Sequence, residues 1–358
     1  MIYREAGQFK STYADDQAIF PIRQDRISLT IFGLLAFLGV PMVIDDYWAN
    51  AVFIPLLVFT LAALGLNILI GYCGQLSLGT GAFMAVGAYA TYKLMTAFPD
   101  LNFIIIVVLS GFVTAGVGVL FGLPSLRIKG FYLAVATLAA QFFLVWLFNK
   151  VGWFFNYNAT GQINATRMEV FGVQITGPEA TPTSRYLFCL LFTVVFALVA
   201  KNLVRGRIGR SWMAIRDMDI AAELIGIRPL HTKLLAFAVS SFYVGMAGSL
   251  YFSVWLGAAE VTEAFSINQS FYVLFMVIIG GLGTILGSFL GAAFMVLMPI
   301  LLKNFMVGGI GVEVVTAKHV EIMVMGILIV TFLILEPHGL ARLWQIMKEK
   351  LRLWPFPY

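Results

Sequence analysis

A succession of apolar stretches, each about as long as a bilayer is thick, restricts this chain more than any other feature. A membrane helix needs about 20 mostly apolar residues to cross ~30 Å of hydrocarbon. Candidates run at 27–44, 51–70, 78–97, 102–123, 131–149, 186–204, 234–256, 268–282, 284–302 and 319–335. The stretch 268–302 is broken only by Gly280-Gly281-Leu282-Gly283-Thr284, so it reads as two spans or as one span plus a half-helix. Eight to ten crossings result, and the expected fold is an all-α, polytopic membrane bundle. Composition agrees: 60% of the 358 residues are hydrophobic and 11% are charged, against ~25% charged in soluble domains. So few charges cannot cover that much apolar surface in water. Disordered and disulfide-rich classes are excluded on the same grounds.

Orientation follows from Lys and Arg, which membrane proteins retain on the cytoplasmic side. With ten spans and the N-terminus inside, Arg4, Lys10, Arg23 and Arg26 are cytoplasmic, as are Arg127 and Lys129, seven cations from Lys201 to Lys233, and four from Arg342 to Arg352. Only six of the 23 fall elsewhere: Lys93, Lys150, Arg167, Arg185, Lys303 and Lys318. Both termini are therefore expected on the cytoplasmic side of the membrane. The polar segment 1–26 reads as a retained cytoplasmic tail and 27–340 as the transmembrane domain. The latter includes an outside loop, 150–185, and an inside loop, 205–233, and 341–358 forms a second cytoplasmic tail. The basic balance reflects this topology and implies no nucleic-acid partner; the partner implied by composition is membrane lipid.

Two segments are unlike ordinary lipid-facing helices. In the first, Gly71, Gly74 and Gly79 alternate with Asn67, Gln75, Ser77 and Thr80. Polar groups at membrane depth must be satisfied by protein or by water, and glycine permits close helix approach. The segment reads either as a break lining a translocation path, with Asn67, Gln75, Ser77, Thr80, Tyr132 and Thr137 along it, or as a tightly packed helix pair with a short connection. The second segment centres on Gly280, Gly281 and Gly283. Paired glycine-interrupted segments in the two halves of a chain point to an inverted internal repeat with a midplane pathway.

The inside loop carries the most information. From Arg207 to Gly226 apolar residues recur at near-helical spacing, with Asp217, Asp219 and Glu223 on the other face. Ser211 is placed to cap the helix, and Gly226, with Pro229 beyond it, stops it. One amphipathic helix of about four turns is expected. Its acidic edge disfavours anionic lipid and favours docking into a protein groove.

Ala221-Ala222-x-x-x-Gly226 resembles the core of the coupling-loop motif of ABC-importer permeases. The wider pattern resembles the LivM-type permeases of branched-chain amino acid ABC transporters. It comprises Gly65 to Gly79, Gly130 to Leu138, Arg207 to Gly226, Lys233 to Phe237, Gly280 to Thr284 and Glu336 to Leu340. The resemblance implies a second permease subunit of LivH type, two cytoplasmic ATPase subunits and a periplasmic solute-binding protein. It also implies that Arg210, Ser211, Ala214, Ile215, Asp219, Ala221, Ala222, Glu223 and Gly226 couple the chain to the ATPases. Two positions depart from the family. Thr80 stands where His is frequent, and Thr160-Gly161-Gln162-Ile163-Asn164-Ala165 replaces a Thr-Gly-Gly-x-Asn-Gly run. Urea, short amides and aromatic carboxylates therefore stay open as solutes beside branched-chain amino acids.

The sequence contains no G-x4-GK[ST] loop, so ATP must be bound by partner subunits and energy must arrive by contact. No cofactor of its own, no catalytic residue and no metal site are expected: His231, His319 and His338 lie in or beside loops, and Cys73 and Cys189 read as small buried hydrophobes. An ion-coupled carrier would hold ionisable groups near mid-membrane, whereas Lys93 and Glu321 fall near span ends.

Overall fold

A computed structural model describes residues 11–12, 19–20, 23–125, 132–335 and 338–353. The expectations for the rest of the N-terminal tail, for Arg127, Lys129, Gly130 and Phe131, for Glu336 and Pro337, and for 354–358 lie outside the described residues.

Nine helical segments are long and apolar enough to cross a membrane among the described residues. They are α1 (Asp25–Val43), α2 (Asp46–Tyr72), α4 (Phe103–Ser125), α5 (Tyr132–Lys150), α6 (Pro182–Arg205), α9 (Pro229–Leu256), α10 (Val261–Gly280), α11 (Ile285–Gly309) and α12 (Val314–Leu335). The tenth expected crossing, α3 (Thr80–Ala97), is helical but not apolar enough to belong with them. Gly81, Gly87, Thr91 and Lys93 dilute it, and most of it is buried inside the bundle. Helix α3 is thus solvated by protein. The uncertain stretch 268–302 holds two separate helices, α10 and α11, parted by a non-helical turn.

The core is built on α2 and α9. Of the most apolar stretch of each, 83% and 72% is buried, against 6% for α1 and 11% for α12, which lie at the rim. Small residues let α3 approach α9 backbone to backbone: a Cβ on Gly87 would overlap the Gly245 carbonyl, and one on Gly248 the Met84 carbonyl. Thr91 donates to Ser249 across this contact at 2.7 Å. Lipid tails supply no hydrophobic drive for helix association, so close packing and interhelical hydrogen bonds of this kind hold the bundle together.

Outside the bundle, the 150–185 loop is ordered. Strand β1 (Ile163–Asn164) pairs antiparallel with β4 (Ala258–Ala259), beyond α9. Strands β2 (Glu169–Val170) and β3 (Val173–Gln174) form a small hairpin.

The 205–233 loop departs from expectation in two ways. The single four-turn helix is two helices, α7 (Arg207–Asp217) and α8 (Asp219–Leu224). Extended backbone at Met218 (φ −161°, ψ 100°) breaks it. Ser211 does not cap it. Gly206 holds the N-terminal position, and Ser211, one turn inside, donates its hydroxyl back to the Arg207 carbonyl at 3.0 Å. The stop is as the sequence indicates. Gly226 adopts φ +91°, its N–H donates to Glu223 O (3.0 Å), and Ile227 N–H to Ala222 O (3.0 Å). That pair of bonds satisfies the last carbonyls of α8 and needs a left-handed residue. A final helix, α13 (Leu340–Leu353), follows α12.

A candidate coupling site at the glycine junction

The two glycine-rich segments meet. Helix α2 ends in a π-helical turn, Ile68–Tyr72, and the chain reverses at Gly74 (φ +70°). Residues 73–79 are non-helical until α3 starts at Thr80. Against this break lies the turn between α10 and α11. A Cβ on Gly71 would overlap both the Gly283 amide and the Asn67 side chain, so only glycine allows the contact.

Asn67, one turn before the break, clamps it. Its Nδ2 donates to Thr284 O at 2.7 Å and to Ser288 Oγ at 3.0 Å, and its Oδ1 accepts from Gly283 N–H at 2.9 Å. One buried amide thereby satisfies backbone groups that the second glycine turn would otherwise leave unpaired in an apolar surrounding.

The junction sits where the 205–233 loop docks on the bundle. Arg216, in the last turn of α7, donates from Nη1 to the Gly71 carbonyl at 2.9 Å and pairs through Nη2 with Asp217 at 3.0 Å. That carbonyl lies in the widened last turn of α2, where helix carbonyls lack intrahelical partners. A guanidinium, always charged and multiply donating, suits the position. The loop is fastened to the spans at further points. Trp212 is fully buried and its Nε1 donates to Thr232 O at 3.1 Å. Lys233 at the start of α9 lies 3.6 Å from Asp219.

The residues expected to couple the chain divide by face. Ile215 and Ala222 are buried and seat α7 and α8 on the bundle. Ser211, Ala214 and Asp219 are half-buried. Arg210, Ala221, Glu223 and Gly226 are exposed, beside the exposed apolar side chains Met218, Ile220, Leu224 and Ile225. Leu224, at 85%, is the most exposed of these four.

Of the residues expected along a path, the structure brings several together around the 73–79 segment. Ser77, Thr80 and Thr137 are buried and Gln75 is half-buried. Thr137 accepts from Leu78 N–H at 3.0 Å, and a Cβ on Gly79 would stand 2.6 Å from Thr137 O. The first turn of α3 is capped from two neighbouring helices: Gly81 N–H donates to Ser270 Oγ and Ala82 N–H to Gln141 Oε1, each at 2.7 Å. Thr80 Oγ1 is buried without a hydrogen-bond partner. Tyr132 stands apart on the outer face of α5, 55% exposed. Gly280 and Gly281 pack against Gly287 and the His338 carbonyl respectively.

Sequence reasoning did not single out Arg216, Gln141 or Ser270. Gln141 was detectable as a buried amide within an otherwise apolar span, and such residues in membrane helices carry specific bonds. Among the described residues no cluster of three or more metal-ligating side chains occurs, and both cysteines are buried and free.

A family model described as "Branched-chain amino acid transport system / permease component" matches residues 50–333. The chain is 31% identical over 304 residues to the high-affinity branched-chain amino acid transport system permease protein LivM of Salmonella typhimurium, covering 79% of this chain and 68% of that protein. It is 30% identical over 304 residues to the LivM protein of Escherichia coli, with the same coverage. No solved structure matches it. The matched region contains both glycine segments, the Asn67 clamp and the inside loop, and the chain belongs to the branched-chain amino acid transport permease family.

Proposed function

We propose that this chain is the LivM-type permease subunit of a binding-protein-dependent ABC importer of branched-chain amino acids, with both termini on the cytoplasmic side of a bacterial inner membrane. It forms one half of the pathway beside a LivH-type permease. Two cytoplasmic ATPase subunits supply the energy and a periplasmic binding protein delivers the solute. Family membership supports the transport role and the class of solute. The observation that carries the mechanism is the exposed apolar surface of α8, rooted through α7 and Arg216 in the junction of two broken helices.

In this reading an ATPase pair binds α8 differently in its two nucleotide states, and the difference in binding free energy shifts the permease between outward- and inward-open forms. Arg216 and Trp212 make the loop rigid enough to pass displacement to α2 and α9. The glycine junction is where displacement becomes helix motion, because Gly71 and Gly283 touch without side chains between them. The chain itself performs no catalysis and holds no nucleotide.

The test is co-purification of the tagged chain from its native membrane, followed by uptake with radiolabelled leucine. Two ATPase subunits and a second permease are expected to accompany it, and Ala222→Asp, which places a charge at a buried seat, is expected to abolish uptake while membrane insertion persists. Uptake that survives Ala222→Asp, or ATP hydrolysis by the isolated chain, overturns the assignment.

A further inference from the structure

The terminal helix α13 has features that coupling leaves unused. Leu340, Leu343, Trp344 and Met347 recur with helical spacing and form one stripe. Lys348 and Lys350 fall about 80° to either side of it at 3.6 residues per turn. Gln345 and Glu349 lie on the far side. The helix carries four cations, Arg342, Lys348, Lys350 and Arg352, against the single carboxylate of Glu349.

Its attachment fixes how the stripe faces. Ala341 is buried, and a Cβ on Gly281 would lie 2.8 Å from His338 O, so the helix starts against the second glycine turn, at the same end of the bundle as the inside loop. Two turns on, Lys348 Nζ pairs with Asp25 Oδ1 at 3.3 Å, at the first residue of α1. Ala341 and Lys348 share one side, so the helix lies along the bundle with its stripe about a quarter turn away from it. Leu343, Trp344 and Met347 are 41–44% exposed there. The Asp25 contact brings α13 to the start of α1, whose exposed apolar residues begin two positions on at Ile27 (51% exposed).

We infer that α13 lies in the headgroup layer of the leaflet on the face where the 205–233 loop docks, with Trp344 and Met347 in the acyl boundary and Lys350, on the flank turned away from the Asp25 contact, on anionic phospholipid. Charge decides between occupants. The exposed apolar residues of α8 have acidic neighbours, which suit a protein groove, whereas those of α13 have basic flanks and a tryptophan, the composition of an interfacial helix. Long lysine side chains beside an apolar stripe reach up to phosphates while their stems remain among the acyl chains.

The experiment uses the full chain in lipid nanodiscs with Cys73→Ala and Cys189→Ala and a bimane label at Met347→Cys or, as control, Gln345→Cys. In phosphatidylglycerol-rich discs the 347 label is expected to emit further to the blue and to be quenched by brominated acyl chains, and the 345 label to be quenched by aqueous iodide. Lys350→Glu with Arg352→Glu is expected to raise iodide quenching at 347 several-fold, as is replacement of phosphatidylglycerol by phosphatidylcholine. Equal iodide access at 347 and 345, insensitivity to both charge changes, or shielding of 347 only after ATPase subunits are added would each overturn the inference.

Discussion

The guanidinium of Arg216 donates to the Gly71 carbonyl at 2.9 Å, joining the last turn of a loop helix to the last turn of a membrane span. The two residues are 145 apart in sequence, and the bond ties the loop to the broken helix. Hydrogen bonds from charged groups contribute about 1.5–3 kcal/mol, and partial exposure of Arg216 places this one toward the lower end.

Arg216→Ala is expected to reduce uptake by about tenfold or more, the equivalent of ~1.4 kcal/mol, while ATP hydrolysis by the assembled complex continues. Arg216→Lys retains the charge without the planar fork and is expected to fall between. Parallel measurement of uptake and hydrolysis checks this, and equal loss of both would indicate a folding defect instead.

Gly71 and Gly226 separate close approach from backbone conformation. Gly71→Ala forces a methyl group into the Gly283 amide, so helix α2 must move away from the second turn. Uptake is expected to vanish and the melting temperature in detergent to fall. Gly226→Ala has open space around it but sits at φ +91°, which costs roughly 1–2 kcal/mol locally. It is expected to impair uptake with little change in melting temperature.

Asn67→Ala removes three hydrogen bonds at once. Interhelical bonds of this kind average ~0.6 and reach ~1.7 kcal/mol in membrane proteins, so a loss of about 2–4 kcal/mol is expected from the three. Unfolding of the purified permease by steric trapping reads this directly. Asn67→Asp retains the acceptor for Gly283 N–H and loses both donations, and is expected to be no better than Ala.

Cysteines at Ser77, Thr80 and Thr137, all buried here, are expected to resist aqueous thiol reagents at rest and to react during turnover. Gln75→Cys, at a half-buried position, is expected to react in both conditions, and Tyr132→Cys to be indifferent to the transport cycle. Reaction rates with and without ATP and solute check the pattern.

The spans were legible because a bilayer imposes length and apolarity directly, and the inside loop was legible because Gly226 and the alternation of acidic and apolar residues encode a helix and its stop. What escaped was tertiary. Helix α3 looks like a span by length, yet Gly81, Gly87 and Thr91 serve contacts with its neighbours that no local pattern reveals. The break at Met218 also left no mark, since apolar spacing continues through it. Asn67 was noticed as a polar residue at membrane depth, but its role as a clamp on Gly283, Thr284 and Ser288 depends on contacts more than 200 residues away in sequence. Ser211 reads as a cap only while the start of α7 is unknown; Gly206 places it a turn too late.

The coupling role of α8 is tested most directly by a photo-reactive amino acid at Leu224, the most exposed apolar residue of the loop helices, in the complex within native membranes. A cross-link to an ATPase subunit, with a yield that changes between ATP-bound and nucleotide-free states, is the predicted result. Cross-linking to lipid alone, unchanged by nucleotide, would contradict it.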